Sequence, residues 1–167
     1  GIMATAEGEI LELAHTRAPT ADKGAYMRII IGKTARLIET ACRLGAALAT
    51  RDRAAEDAAG EFGLNLGIAF QLVDDALDYT VPEDEMGKPM GGDLREGKMT
   101  LPLILHLEGL PQPEASEILD ALRENRLTPE QAGGILSGIE KKGLADRTRE
   151  EAARYAALAV KALDGLP

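Results

Sequence analysis

The sequence predicts an all-α fold, a helical bundle, and three observations carry that prediction. Hydrophobic residues make up 45% of the 167 residues, yet aromatics account for only 3% and Trp is absent, a composition that suits close Ala/Leu-rich helix packing. β-branched runs that would seed a sheet are few. Apolar residues recur at helical spacing in blocks punctuated by Pro, Gly and capping residues. A chain of this length can bury a sizeable core as a single domain. Residues 1–167 are therefore expected to form one all-helical domain or a fragment of one, with no repeat, linker or second-domain boundary.

In order, MATAEGEILELAH sets Ile10, Leu11 and Leu13 among charges as a packing helix that Pro19 closes. His15 near its end reads as a surface or C-terminal cap residue, since no partner at metal spacing accompanies it. Thr20 or Asp22 can cap a long second helix running to about Ala49, with Ile29, Ile30, Leu37, Ile38, Ala41 and Leu44 as its apolar stripe. In its middle, Gly32 weakens the helix and the Thr34 hydroxyl can bond back to the preceding turn, bending it and freeing carbonyls. A third helix should start near Asp52 or Asp57 and reach Tyr79. Its Gly60, Gly63 and Gly67 each cost roughly 1 kcal/mol relative to Ala, so their spacing predicts close approach by another helix. Ala69, Leu72, Val73, Ala76 and Leu77 form its core face. From Thr80 to Met99 no periodicity is visible and a loop is expected, with Glu83, Asp84 and Glu85 as a solvated acidic run. Thr100 then caps a helix with Pro102 in its first turn, and His106 in LPLILHL reads as a satisfied core or surface histidine. A helix near Pro113 to Glu124, a capping box at Thr128 to Gln131 opening another that Gly143 closes, and a last helix from about Ala145 to Leu163 complete the chain.

Charge and motifs narrow the function. A net charge of −9 argues against nucleic acid or an anionic membrane as the main partner, because both need a basic surface. A lone Cys42 allows no internal disulfide and suggests a reducing compartment. No apolar run reaches the roughly 18 residues of a membrane span and no signal-peptide pattern opens the chain, so a soluble cytoplasmic protein is expected. The chain opens on Gly1-Ile2-Met3, as a tag remnant, a trimmed chain or a fragment would.

Chemistry concentrates in Gly67 to Leu103, GIAFQLVDDALDYTVPEDEMGKPMGGDLREGKMTLPL. At about 100° per residue, Asp74 and Asp78 lie about 40° apart on the helix and Asp75 is nearby, so three carboxylates crowd one face. Like charges at i, i+4 cost roughly 0.2–0.5 kcal/mol per pair, a penalty that a bound cation reverses. Oxygen ligands without His or Cys suit a hard ion, and Mg²⁺ is typically held by one or two carboxylates plus water and substrate phosphates. Lys88 and Lys98, on a glycine-rich segment, then read as point charges for phosphate oxygens. A solvated helix end balanced by lysines is the plain alternative for a bare D-D-x-x-D. A long aperiodic segment inside a compact chain favours a functional loop.

GIAFQLVDDALDY followed by GKPMGGDLREGKMTLP resembles the second aspartate-rich region of the trans-isoprenyl diphosphate synthases, or polyprenyl synthetases. The resemblance implies an all-helical fold and a prenyltransferase that joins an allylic diphosphate to isopentenyl diphosphate with Mg²⁺ held by two D-D-x-x-D motifs. Here it implies Asp74, Asp75 and Asp78 as metal residues and Lys88 and Lys98 as diphosphate contacts. It also implies Lys33 and Thr34 facing the allylic substrate, with freed backbone oxygen and the Thr hydroxyl stabilising an allylic cation, and Phe70 and Gln71 along the substrate cavity. Taken without the resemblance, Lys33 and Thr34 read equally as an exposed lysine beside a tolerated threonine, and Phe70 as ordinary core. The family's first aspartate-rich motif and its isopentenyl diphosphate site have no counterpart in this sequence. An incomplete enzyme is therefore expected, acting as a homodimer or with a missing N-terminal half. Two other classes are a non-catalytic partner subunit, which would have eroded metal or lysine positions, and a terpene cyclase, which carries a different second motif.

Overall fold

A computed structural model describes residues 2–80 and 90–164, and every regular element among them is helical. Helix α1 spans Ile2–Arg17, α2 Lys23–Ile30, α3 Arg36–Ala49, α4 Arg53–Leu77, α5 Gly92–Arg95, α6 Leu101–Glu108, α7 Gln112–Arg123, α8 Pro129–Lys141 and α9 Leu144–Ala162. The chain divides into two compact units, one of Gly1–Leu11, Met27–Leu72 and Glu150–Pro167, the other of Glu12–Tyr26 and Val73–Arg149.

In the first unit the long second helix is interrupted where Gly32 predicts it, by a π-helical turn over Ile31–Ala35 that joins α2 to α3. Such turns depart from the regular i→i−4 ladder and recur at functional sites. Close approach is what the α4 glycines serve, and their partner is α3 of the same chain. A methyl placed on Gly67 would lie 2.6 Å from Ala35 Cα, and one on Gly63 2.8 Å from the Ile38 carbonyl oxygen. Arg43 bridges Glu39 and Asp57 on these two helices, at 3.2 and 2.6 Å. Burial works against the Glu39 charge, but hydrogen bonds from Arg36 and Arg43 outweigh it and lower its pKa.

Two expectations of apolar burial fail in this unit. Helix α3 buries none of its residues, and Leu37 and Leu44 of its predicted stripe are 49% and 58% exposed. The reason is rotational: the side of α3 formed by Ile38, Glu39 and Cys42 lies on the α4 glycines, which leaves Leu37, Leu44 and Leu48 off that contact. Ile10 and Leu11 of α1 are likewise exposed, because α1 makes its closest approach through Gly8, where a Cβ would lie 2.7 Å from the Gly32 carbonyl carbon.

The second unit is closed around α6, whose Leu101, Leu103, Ile104 and Leu107 are buried. Thr128 and Gln131 form the expected capping box of α8, with bonds of 3.2 and 3.0 Å. Gly143 takes the left-handed backbone (φ 61°) that ends α8. Thr100 occupies the N-cap position of α6 without a side-chain cap; its hydroxyl instead pairs with the buried Tyr79 hydroxyl at 2.7 Å. The stretch expected as loop contains α5, started by Gly91 in left-handed conformation. His106 is buried and its Nδ1 has no hydrogen-bond partner among the described residues, so it is a core residue but, among them, not a satisfied one. No described helix is long and apolar enough to cross a membrane.

Candidate active site

Helix α4 carries Asp74 and Asp75 in its last turn and is followed at once by Asp78, and the three carboxylates do not share one environment. Asp74 is exposed, Asp75 is buried and Asp78 is half-buried. In the second unit the Tyr26 hydroxyl donates to Asp75 Oδ2 at 2.6 Å, both groups being shielded from water. Asp78 accepts the backbone N–H of Gly92 on Oδ1 and that of Asp93 on Oδ2, each at 3.1 Å. Burial, followed by the nearby Asp93 charge, raises the Asp78 pKa despite those two bonds. The expectation that all three crowd one face is not what the structure shows. A 100° step from Asp74 to Asp75 suffices to turn one outward and the next inward.

Lys98 leaves the same turn. Its ammonium donates to Asp93 Oδ1 at 3.0 Å and reaches Glu96 Oε2 at 2.7 Å, while Gly97 before it is left-handed (φ 75°). Burial disfavours the ammonium, but the hydrogen bonds to Glu96 and Asp93 prevail and its pKa is raised. Tyr79, pushed up chiefly by burial, keeps its hydroxyl protonated for the Thr100 contact. Among the described residues no three His, Cys, Asp or Glu side chains form a ready-made metal cage. A cation here would need water or phosphate oxygens to complete its shell, the pattern of Mg²⁺ sites, and Asp74 offers the outward oxygen donor. Lys88, Glu83, Asp84 and Glu85 lie outside the described residues.

The other sequence-predicted residues belong to the first unit. Lys33 sits in the π-turn and pairs with Glu9 Oε2 at 3.3 Å. The neighbouring Gly8 lies against the same turn, so the Gly8-Glu9 pair of α1 is the support of Lys33. Thr34 does not bond back to its own helix. Its hydroxyl donates to Gln71 Oε1 of α4 at 3.0 Å. Phe70 is 60% exposed, which removes the ordinary-core alternative.

Sequence reasoning missed Tyr26 and the connecting part of Asp93. Asp93 stood in plain view within GGDLREGK, but nothing local reveals that its backbone and carboxylate connect two other functional candidates. Tyr26 carried no signal beyond being one of three tyrosines.

The family profile described as Polyprenyl synthetase matches residues 1–135. An octaprenyl diphosphate synthase of Escherichia coli K12 is 38% identical over 168 residues, covering 97% of this chain and 50% of that protein. Component 2 of the heptaprenyl diphosphate synthase of Bacillus subtilis is 32% identical over 160 residues, covering 96% of this chain and 45% of the relative. A crystal structure of a Caulobacter crescentus polyprenyl synthase, complexed with calcium and isoprenyl diphosphate, superposes with a TM-score of 0.88 at 39% identity, covering 99% of this chain and 50% of that one. The chain thus spans about half the length of the relatives it matches.

Proposed function

Because the chain belongs to the polyprenyl synthetase family, we propose that it supplies the diphosphate-leaving side of a trans-prenyltransferase that condenses an allylic diphosphate with isopentenyl diphosphate, using Mg²⁺. The supporting observation is the unequal fate of the three aspartates. A merely solvated helix end would leave all three in water, whereas here Asp75 is buried against the Tyr26 hydroxyl and Asp78 is half-buried on the Gly92-Asp93 turn, while Asp74 is exposed. Asp74, backed by Asp75 and Asp78, would hold the cation; bound Mg²⁺ would supply charge neutralisation for the departing diphosphate. Lys98, kept charged by its acidic neighbours, would meet diphosphate oxygens together with Lys88. In the first unit, Thr34, Gln71 and the π-turn carbonyls would offer oxygen dipoles to positive charge on the allylic carbons, and Phe70 an apolar wall to the prenyl chain. Preplaced groups of this kind stabilise charge that develops only in the transition state.

The rest of the machinery would come from the part that the relatives have and this chain does not match. Association with such an N-terminal half, or with a second copy, would cover the exposed leucines of α3. A lone Cys42 is compatible with the reducing cytoplasm.

A chimera joining the N-terminal half of the 38% identical octaprenyl synthase to this chain tests the reading. With Mg²⁺, an allylic diphosphate and labelled isopentenyl diphosphate it should turn over, and the isolated chain should not. Asp74→Asn in the chimera should lower turnover by on the order of 10² or more, and Glu117→Gln, an exposed acid on α7, should be near neutral. A folded chimera in which both substitutions have equal small effects would overturn the assignment of Asp74.

A further inference from the structure

Asp78 does more than a cation ligand needs to do. Its carboxylate takes two consecutive backbone N–H groups, from Gly92 and Asp93, and its own carbonyl takes a third, from Gly91, at 2.8 Å. Three successive peptide groups are thus tied to one residue at the end of α4. Glycine is what permits the approach: Gly91 has φ 76°, and a Cβ on Gly92 would come within 3.3 Å of Asp78 Oδ1. Asp93 carries the connection onward. Its carbonyl accepts the Lys98 N–H at 2.9 Å, and its carboxylate accepts from the Lys98 ammonium at 3.0 Å.

We propose that Asp78 is a positioning residue which, by docking the Gly91-Gly92-Asp93 turn and acting through Asp93, sets where the Lys98 ammonium stands. The proposal rests on the reading of Lys98 as a diphosphate contact. Lysine loses much rotamer freedom when held in one place, so a lysine held before the anion arrives binds it more tightly than a loose one. Two N–H donors need two acceptor oxygens. An Asn at this position offers one, and its amide NH₂ confronts the other donor.

Charge and positioning predict opposite signs, which makes the idea testable without catalysis and without metal. Removing a carboxylate near a bound anion, by charge alone, tightens binding; releasing the lysine weakens it. The 167-residue chain is titrated with inorganic diphosphate in EDTA-containing, Mg²⁺-free buffer and followed by NMR, so that no ligand role of Asp78 toward a metal contributes. Asp78→Asn is expected to weaken diphosphate roughly tenfold, the worth of one hydrogen bond to a charged group. In a Lys98→Ala background the same substitution should change affinity less than about twofold, since the group being positioned is gone. The Gly92 and Asp93 amides should exchange at least about tenfold faster in Asp78→Asn.

Tighter or unchanged binding in Asp78→Asn, with Lys98→Ala still weakening, overturns the proposal and leaves Asp78 a charge. If Lys98→Ala has no effect, the diphosphate reading of Lys98 fails instead, and the amides decide the positioning: faster exchange at Gly92 and Asp93 supports it, unchanged exchange overturns it. Should Asp78→Asn unfold the chain, Asp78→Glu keeps the charge and lengthens the reach by one methylene; weaker binding then supports the proposal and unchanged binding overturns it.

Discussion

Helices α3 and α6 are both built on leucines and carry opposite relations to water. None of the 14 residues of α3, in the first unit, is buried, whereas six of the eight residues of α6, in the second, are. The difference extends beyond these helices. Ile2, Met3, Ile10, Leu48, Leu66, Phe70, Leu158 and Val160, all in the first unit, are exposed. The largest fully buried side chains lie in the second, with Leu72 the exception. Exposed apolar surface on this scale marks an interaction site. The second unit thus buries its large apolar side chains more completely than the first, although Leu13, Val73 and Met90 are exposed there, and the leucines of α3 are the surface that the proposed association would cover.

The largest effect expected from that contrast is association. The isolated chain should form oligomers at micromolar concentration, equivalent to about 8 kcal/mol of binding. Leu37, Leu44 and Leu48 are spaced at seven and four residues along one side of α3, and changing all three to Lys should return a monomer with little loss of melting temperature. Sedimentation velocity on both proteins gives the answer; a clean monomer of the unsubstituted chain would count against that association.

Next in size is the response to truncation. Leu103→Ala, at a fully buried position of α6, should cost about 2–5 kcal/mol in urea unfolding, while Leu44→Ala on α3 should stay within about 0.5 kcal/mol. The first unit is not loose everywhere, and its glycine seam sharpens the comparison. Gly67→Ala places a methyl against the Ala35 backbone and should cost about 1–3 kcal/mol. Gly133→Ala, in α8 with open space around it, should stabilise by about 0.5–1 kcal/mol. Equal effects of the two glycine substitutions would mean that the α3–α4 contact is softer than its distances imply.

These contrasts also measure how far the sequence could be read. Punctuation was legible: Asp52, which accepts the Ala54 N–H at 2.9 Å, and the Thr128 to Gln131 box act where local chemistry puts them. The position of the helix defect at Gly32 to Thr34 was legible, but not its bonding, because Thr34 turns to Gln71, 37 residues away. Periodicity gave α3 an apolar side without saying what would cover it. DDALD offered three equivalent carboxylates to a helical wheel, and only partners distant in sequence made them unequal, Tyr26 standing 49 residues before Asp75. Local rules see caps, periods and spacings; a division of labour within a motif is decided by what packs against it.

The smallest effect expected is a dependence on pH seated in the second unit, at His106. Its ring packs where any Cβ on Gly138 of α8 would collide, 3.0 Å from Nδ1, and Nδ1 finds no partner among the described residues. Burial first, and the Lys142 charge second, hold its pKa below the usual histidine value. Unfolded, the same imidazole titrates near about 6.5. The unfolded state therefore binds the proton more readily, so stability is full above about pH 6.5 and falls as pH drops from there toward the folded-state pKa. Unfolding by urea at pH 7.5 and at pH 5.5, the latter still above the usual carboxylate range, reads this directly. His106→Leu should flatten the decline and, by replacing an unpartnered buried nitrogen with carbon, leave stability at pH 7.5 near neutral or slightly raised. His15→Ala serves as the control, because His15 is in contact with the Thr20 hydroxyl near the surface and its loss should leave the slope in place. A slope that survives in His106→Leu would move the pH sensitivity out of the second unit's core.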